Sequence, residues 1–218
     1  MTPPDSIDVV LATGNAHKVV ELSRMFDCAR AASGEGGPAV RLFSAGHVGG
    51  MPVVKEDAET FAGNARQKAL ALREVAPVPY WVLADDSGLC CDALGGRPGV
   101  ASARFAGLRA SDGANRAKLL EALRRVPGPG RGAYFLCHLC LIPPTGGILS
   151  FEGRCAGRVL EAEEGEGGFG YDSIFQADGC AGSFATLAPE EKDRLSHRGR
   201  AVRELLAELS MRWRAGTF

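Results

Sequence analysis

Apolar residues near the start of the chain follow two spacings, and each spacing predicts a different element. Ile7–Ala12 is a short, continuous and β-branched run, which is typical of a buried strand. After the turn Thr13–Asn15, apolar residues recur every three or four positions, which predicts a helix. Residues 31–38 are rich in glycine and are expected to form a loop before a second short strand at Val40–Phe43.

The middle of the chain alternates the same two patterns. A helix is predicted from a Thr60 cap to about Ala76, followed by a strand at Tyr80–Ala84. The apolar stripe of this helix is predicted to comprise Phe61, Ala65, Leu72 and Val75. Another helix is predicted from Ser111 to about Arg125, and strands at Ala133–Ile142 and Ile148–Glu152 are expected to form a hairpin.

A last helix is predicted to begin near Ser196, after a glycine-rich segment and an extended YDSIF stretch. Strands that alternate with helices early and a hairpin late predict an α/β fold with a mixed sheet. No internal repeat or inter-domain linker is visible, so residues 1–218 are expected to form a single domain.

Composition narrows the functional classes. The chain has 25 basic and 26 acidic residues and a net charge of −1, so nothing favours a polymeric nucleic acid as partner. No apolar run is long enough for a membrane helix, and the amino terminus does not resemble a secretory signal. The seven cysteines, an odd number in a chain that needs no disulfides, indicate reduced thiols and a cytoplasmic protein.

The stretch LADDSGLCC places Asp85 and Asp86 together at the predicted end of a strand, before a predicted Ser–Gly turn. Two adjacent carboxylates are tolerable there if a divalent cation supplies positive charge, and Mg²⁺ prefers carboxylate and phosphate oxygens. Consecutive strand residues point to opposite faces, so one aspartate is expected to serve a site while the other fixes the structure. The simpler alternative is a turn with solvated charges.

The segment TGNAHK, Thr13–Lys18, joins the first predicted strand to the first predicted helix. Free amides at a helix start attract anions, and the Lys18 ammonium would add to that positive field. The alternative is a plain junction with Asn15 as the helix cap and Lys18 in solvent.

The segment GEGGFGYD contains a G-x-G-x-x-G pattern, at Gly165, Gly167 and Gly170, but it does not predict a dinucleotide site. That site needs a following helix and an acid about 20 residues later, and here YDSIF reads as extended. The glycines are instead expected to let the backbone approach a ligand, with Phe169 or Tyr171 available to stack on a flat ring. A mobile glycine loop is the alternative.

The segment EEKDRLSHRGRA concentrates basic residues around the start of the last predicted helix. Lys192, His197 and Arg198 could hold phosphates or a base there, although a solvated basic helix start is the simpler interpretation. Cys137 and Cys140 have the spacing of half a zinc site, but they lie within an apolar run and are expected to be core residues.

In this order along the chain, these motifs resemble the inosine/xanthosine triphosphate pyrophosphatase family, which also acts on deoxyinosine triphosphate. The resemblance implies a mixed α/β fold with a long central sheet and flanking helices, in two lobes around a nucleotide-binding cleft. It also implies a homodimer, dependence on Mg²⁺, and hydrolysis of a non-canonical purine nucleoside triphosphate to the monophosphate and pyrophosphate.

The resemblance further implies roles for individual residues. Asp86 matches the metal-associated proton acceptor of the family, and Glu56 is the expected second metal ligand. The expected substrate contacts are Thr13, Gly14, Asn15, Ala16, His17, Lys18, Ser87, Phe169, Gly170, Tyr171, Asp172, Lys192, His197 and Arg198. Two positions depart from the family pattern: Lys55 stands where an acid is expected, and Ser173 stands in place of a proline after Asp172, which is expected to loosen that turn.

Two other functions remain open from the sequence. One is a related pyrophosphatase of the septum-inhibitor type, which acts on other modified nucleotides. The other is a nucleotide-sensing protein that binds without turnover.

Overall fold

The computed structural model describes residues 5–32 and 37–217, without the side chains of residues 29–32. The predicted loop at 31–38 therefore lies partly outside the described residues. The helices are α1 (Ala16–Ala32), α2 (Phe61–Val75), α3 (Asp112–Ala122), α4 (Pro189–Leu195) and α5 (His197–Ala215). The strands are β1 (Ser6–Leu11), β2 (Ala39–Ser44), β3 (Trp81–Cys91), β4 (Gly132–Ile142), β5 (Leu149–Val159) and β6 (Phe175–Ala177).

The strands form one six-stranded sheet in the order β2-β1-β3-β4-β5-β6. Strand β1 runs parallel to both β2 and β3, whereas β5 and β6 are antiparallel. A sheet that combines parallel and antiparallel pairs with helices in the same chain confirms the predicted mixed α/β fold.

The chain divides into two compact units, each with its own core. The first unit comprises the residues up to Asp86, residues 138–152 and the residues from Gly199 onward. Its core packs β1, α2 and the first half of β3 around small and aliphatic side chains, including Val10, Ala65, Leu72 and Val82. Thr60 caps α2 as predicted, since its hydroxyl accepts a hydrogen bond from the Gly63 N–H at 3.0 Å.

The second unit comprises Ser87–Cys137 and Gly153–Arg198. Its core contains a cluster of three phenylalanines, in which Phe135 and Phe184 each meet Phe175 edge to face with ring centroids 4.7 and 5.1 Å apart. Helix α3 packs Leu119 and the following Leu123 into the same core. Ser111 caps α3, which confirms the predicted start of that helix.

Strand β3 does not end at Ala84, and the prediction of a Ser–Gly turn after the aspartates is wrong. The strand continues to Cys91, and Leu89 and Cys91 join the core of the second unit. Gly88 serves close packing instead of a turn, because a Cβ there would lie 2.4 Å from Ser102 Oγ and 2.7 Å from the Gly99 carbonyl oxygen. Asp85 and Asp86 are therefore mid-strand residues.

The structure differs from the predicted elements in three smaller respects. YDSIF is not extended throughout, because Asp172–Ile174 forms a single 3-10 turn before β6. Helix α4, which carries Lys192, was not predicted. Val75 is half-exposed, so the buried stripe of α2 ends at Leu72.

No cysteine among the described residues forms a disulfide bond. All seven cysteines are free thiols, and Cys137 and Cys140 are buried core residues as predicted. Within the described ranges, no helix has both the length and the apolar character needed to cross a membrane.

Candidate active site

The turn between β1 and α1 presents an exposed surface with its own internal hydrogen bonds. The Asn15 side-chain oxygen accepts from the backbone N–H groups of His17 and Lys18, at 2.9 and 3.2 Å. The Thr13 hydroxyl accepts from the Asn15 N–H at 3.1 Å. Asn15 is thus the helix cap, as the simpler interpretation expected, and Gly14 and Ala16 are exposed beside it. Because Asn15 already accepts from two of the first N–H groups of α1, the anion-binding role of this turn stays a prediction.

Lys18 is not in solvent. Its ammonium forms an ion pair with the Asp85 carboxylate and lies 3.4 Å from the Asp85 carbonyl oxygen. The Asp85 side chain is only 1% exposed, so this lysine provides charge compensation for a buried carboxylate. Asp85 is therefore the member of the pair that fixes the structure.

Asp86 points to the other face of β3, as expected of its neighbour in a strand. Its Oδ1 accepts a hydrogen bond from the Lys68 ammonium at 2.7 Å, and its Oδ2 accepts one from the Asn64 side-chain amide at 3.3 Å. Both partners lie on the buried stripe of α2. The two aspartates thus serve two separate sets of contacts.

Lys68 also contacts Glu56, whose Oε2 lies 3.0 Å from the ammonium. Glu56 and Asp86 therefore converge on one cation. Lys55, the residue that departs from the family pattern, instead forms an exposed ion pair with Asp57 at 3.0 Å. Glu56 is thus the acid of this segment that pairs with Lys68, the partner of Asp86. Lys68 itself is a functional candidate that the motifs did not indicate.

Burial and charge act in opposite directions on this cluster. Burial raises the pKa of Asp86, against the opposing effect of Lys68. For Lys68, burial acts to lower the pKa, but the carboxylates of Asp86 and Glu56 outweigh it and the pKa is raised. With Lys18 and Asp85 included, two lysines face three carboxylates, which leaves a net charge of −1.

The donor set of this cluster fits a divalent cation. A negative cluster repels a polyphosphate unless a further positive charge is added, and Mg²⁺ typically binds one or two carboxylates together with phosphate oxygens. Glu56 and Asp86 supply two such carboxylates. Among the residues that the structure describes, no three His, Cys, Asp or Glu side chains are grouped to hold a metal, so a cation here would complete its ligands from substrate and water.

The glycine-rich loop of the second unit brings Phe169 and Asp172 together with Lys192. The Asp172 Oδ2 accepts from the Phe169 N–H at 2.8 Å and from the Lys192 ammonium at 2.6 Å. The Lys192 ammonium and the Arg198 guanidinium lie 5.2 and 5.7 Å from the centre of the Phe169 ring. The loop therefore combines an aromatic face with two cations.

The basic segment is buried, so its interpretation as a solvated helix start is wrong for Lys192, His197 and Arg198. Arg198 donates a hydrogen bond from Nη2 to the Ser87 hydroxyl at 2.9 Å. His197 stacks on Phe135, with ring centroids 4.6 Å apart and planes 9° from parallel. Burial of three basic side chains is costly, and it indicates a site that needs their charge or their hydrogen bonds.

Two glycines of this loop serve contacts within the chain, and the expected approach of the loop to a ligand stays a prediction. A Cβ at Gly165 or Gly167 would lie 2.6 or 2.9 Å from the Ala185 carbonyl oxygen, so both glycines allow contact with the chain itself. A 3-10 turn and a short strand follow the loop, which confirms that it is not a dinucleotide fingerprint.

The fold and these side chains define a class: a mixed α/β protein with a carboxylate–lysine cluster in its first unit and, in its second, an aromatic ring beside two cations. The chain belongs to the Ham1 family, whose family model matches residues 9–208. The family resemblance drawn from the motifs is thereby confirmed.

Relatives of known name cover nearly the whole chain. Over 195 residues it is 51% identical to the dITP/XTP pyrophosphatase of Opitutus terrae, covering 89% of this chain and 95% of that one. Over 203 residues it is 42% identical to the dITP/XTP pyrophosphatase of Rhodopirellula baltica, covering 93% and 92%.

Solved structures of named proteins also match the fold of this chain. The Ham1 protein of Staphylococcus aureus matches with a TM-score of 0.77 and 33% identity, covering 93% of this chain and 97% of that one. The nucleoside-triphosphatase / dITP/XTP pyrophosphatase of Mycobacterium abscessus matches with a TM-score of 0.69 and 40% identity, covering 92% and 99%.

Proposed function

We propose that this protein is a nucleoside triphosphate pyrophosphatase that hydrolyses the non-canonical purine nucleotides dITP, ITP and XTP to the monophosphate and pyrophosphate. Relatives named dITP/XTP pyrophosphatase, 51% and 42% identical over nearly the full chain, support this substrate class. The structural observation that carries the proposal is Asp86, a mid-strand carboxylate held by Lys68 and Asn64. Such an arrangement suits a group that handles a proton in a defined orientation.

Asp86 acts as the proton acceptor for the attacking water. The water oxygen forms a bond to the α-phosphorus, the bond from that phosphorus to the bridging oxygen of the β-phosphate breaks, and pyrophosphate leaves with the bonding electron pair. The proton of the water passes to an Asp86 carboxylate oxygen. Lys68 and Asn64 fix the orientation of that carboxylate, so Asp86 loses little freedom on reaching the transition state.

Magnesium is part of this proposal, with Glu56 and Asp86 as its protein ligands. When bound, Mg²⁺ would neutralise phosphate charge that the negative cluster otherwise repels. The Thr13–Lys18 turn, exposed at residues 14–17, supplies the remaining attraction for the phosphates through the positive end of α1 and the partly buried Lys18 ammonium.

The second unit supplies the selectivity for a 6-oxo purine. Lys192 and Arg198 flank the Phe169 ring, and both side chains only donate hydrogen bonds. Hypoxanthine and xanthine carry an acceptor at the 6 position, whereas adenine carries a donor that would face other donors. Leaving such groups unpaired discriminates strongly between substrates. The other proposed contacts in this unit are Ser87, Gly170, Tyr171, Asp172 and His197.

The proposed function is tested by measuring pyrophosphate release from dITP, ITP, XTP and the four common NTPs, with and without Mg²⁺. We expect release from the three non-canonical purines, little or none from ATP, whose base carries a donor at the 6 position, and none from any nucleotide without the metal. The Asp86→Asn variant, which keeps the shape of the side chain, should bind dITP but lose at least about 100-fold in turnover. Binding without turnover by the unchanged protein would indicate a nucleotide sensor, and preference for modified pyrimidines would indicate the septum-inhibitor type.

We also propose a cytoplasmic homodimer. Seven free thiols support a reducing compartment. The dimer rests on the family resemblance, and sedimentation velocity that gives only the monomer mass, 22.9 kDa, would contradict it.

A further inference from the structure

Two residues of α3 hold the backbone of Gly170, in the glycine-rich loop. Asp112 accepts a hydrogen bond from the Gly170 N–H at 2.7 Å, and Arg116 donates from Nη1 to the Gly170 carbonyl oxygen at 2.9 Å. Residues four apart on a helix lie on the same face, so the two side chains reach Gly170 together. Both polar groups of one loop residue are thus bound by one helix.

Side-chain packing does not fix the backbone conformation of Gly170. Gly170 has a φ of +63°, and apart from its own chain neighbours no heavy atom lies within 4 Å of the position that a Cβ would occupy. Glycine adopts this conformation at little cost but also leaves it readily. Asp172 holds the Phe169 N–H on one side of Gly170 and Tyr171 is buried on the other, so the hydrogen bonds to Asp112 and Arg116 are what restrains the glycine between them.

Arg116 is itself held in place from the other end of the loop. Its Nε forms an ion pair with Glu163 Oε2 at 2.9 Å, and the same Glu163 oxygen accepts a hydrogen bond from the Ser173 hydroxyl at 3.0 Å. Ser173 is the residue that stands in place of the family proline. A chain of polar contacts therefore runs from Gly170 through Arg116 and Glu163 to Ser173, and it restrains both ends of the turn that contains Tyr171 and Asp172.

We propose that Asp112, Arg116 and Glu163 are positioning residues that hold the Phe169–Asp172 loop in its ligand-binding conformation. This inference rests on the proposed function, in which Phe169 and Asp172 serve the base and sugar. The three residues themselves touch no substrate. Asp112 is exposed and Arg116 only partly buried, so their replacement by alanine opens no cavity in the core.

The expected effect is on affinity and not on the chemical step. Asp112→Ala and Arg116→Ala should each weaken binding of dIMP about tenfold and raise the KM for dITP by a similar factor, the loss expected of one charge-assisted hydrogen bond. The kcat should stay within about twofold, because Asp86 and its partners belong to other elements. Inhibition by tripolyphosphate, a probe with no base, should be unchanged.

Three further variants separate positioning from general damage. Asp112→Asn keeps an acceptor oxygen and should restore dIMP binding close to that of the unchanged protein. Glu163→Gln, which weakens the hold on Arg116, should have a smaller effect than Arg116→Ala. Arg124→Ala removes an exposed arginine that pairs with Glu121 near the end of α3, and it should leave dIMP binding unaltered.

Calorimetric titration with dIMP and steady-state kinetics with dITP decide the matter. The inference is wrong, and the proposed function stands, if the unchanged protein hydrolyses dITP while both alanine variants bind dIMP normally. It is also wrong if kcat falls while the KM for dITP is unchanged, or if Asp112→Asn binds as poorly as Asp112→Ala. An unchanged protein that releases no pyrophosphate from dITP would instead contradict the proposed function. Should one alanine variant not fold, the other alanine variant and Glu163→Gln carry the comparison, and normal dIMP binding by both would contradict the inference.

Discussion

At the scale of single residues, the ammonium of Lys68 decides how the candidate active site is assembled. It lies 2.7 Å from one oxygen of Asp86 and 3.0 Å from one oxygen of Glu56. Two carboxylates brought together without a cation would repel each other, and a buried one would lose its hydration as well. Lys68 therefore makes the site stable before any metal or substrate arrives.

We expect Lys68→Met to make the stability of the protein depend on magnesium. The variant keeps the length of the side chain but leaves Asp86 without its nearest charge, which should lower the free energy of unfolding by about 3 kcal/mol. Millimolar Mg²⁺ should recover part of that loss, since an ion that binds only the folded state stabilises it. Thermal unfolding with Mg²⁺ and with EDTA measures both effects.

Lys55→Met is the matched control. Lys55 pairs with Asp57 on the surface, where both side chains are well solvated, so its loss should leave the melting temperature unchanged. Equal melting temperatures for Lys68→Met and the unchanged protein in EDTA would mean that Lys68 does not stabilise the carboxylates.

At the scale of elements, β3 carries site residues of both units because it stays extended past the two aspartates. Asp86 is the last of its residues in the first unit, and Ser87 is the first in the second. The continuous strand depends on Gly88, which allows the 3-10 turn at Gly99–Arg104 to lie against it. Ser102 is held there by its contacts with Leu89 N–H and the Gly99 carbonyl, at 3.0 and 2.6 Å.

Gly88→Ala should therefore destabilise the protein. The new methyl group would meet a backbone oxygen and a serine oxygen that is already hydrogen-bonded, so overpacking should cost about 2 kcal/mol of unfolding free energy. Gly113→Ala, in α3, is the control, because its nearest neighbours would be 3.8 and 4.0 Å away. It should stabilise the helix by up to about 1 kcal/mol. Urea unfolding of both variants measures the difference, and equal midpoints would contradict the role assigned to Gly88.

The elements show how far the sequence alone could lead. Cap residues and apolar spacing located the starts of α2 and α3 correctly, because those signals act within one turn of helix. The extent of β3 was missed, since Ser–Gly after two aspartates is locally typical of a turn. Only the contact with residues 99–102, distant in sequence, makes extended glycine favourable there.

The site was predictable to a similar degree. Motif order singled out Asp86 and the glycine-rich loop, whose roles stay predictions, whereas single segments could not show that Lys192, His197 and Arg198 are buried. Lys68 left a signal that went unused: with Asn64 it occupies the apolar stripe of α2, where an ordinary surface lysine would not lie. Polar residues on the apolar stripe of a helix therefore indicate a candidate site, as a sequence motif does.

At the scale of the whole molecule, the exposure of the seven thiols differs with the packing around each of them. Five are buried, Cys180 is partly exposed, and only Cys28, on α1, is classed as exposed. Burial raises the pKa of Cys91 to about 12 and that of Cys140 to about 11. At neutral pH both are therefore protonated, and the thiolate that reacts is scarce.

We expect a maleimide reagent at pH 7.5 to label Cys28 first and the buried thiols at least about 100 times more slowly, since both access and thiolate fraction are lost. Mass spectrometry of peptides after timed labelling identifies the sites. Labelling in guanidinium chloride is the control, in which all seven thiols should react. If Cys91 reacted as fast as Cys28 in the native protein, the packing of β3 would be wrong.

The ion pair between Lys18 and Asp85 has a consequence for the energetics of recognition. A free lysine side chain samples many rotamers, and restricting it on ligand binding costs up to about 2 kcal/mol of entropy. Asp85, itself almost inaccessible to water, already restricts Lys18 in the folded chain. The entropy is thus lost once, during folding, and in the proposed function a phosphate would meet a cation whose place is already set.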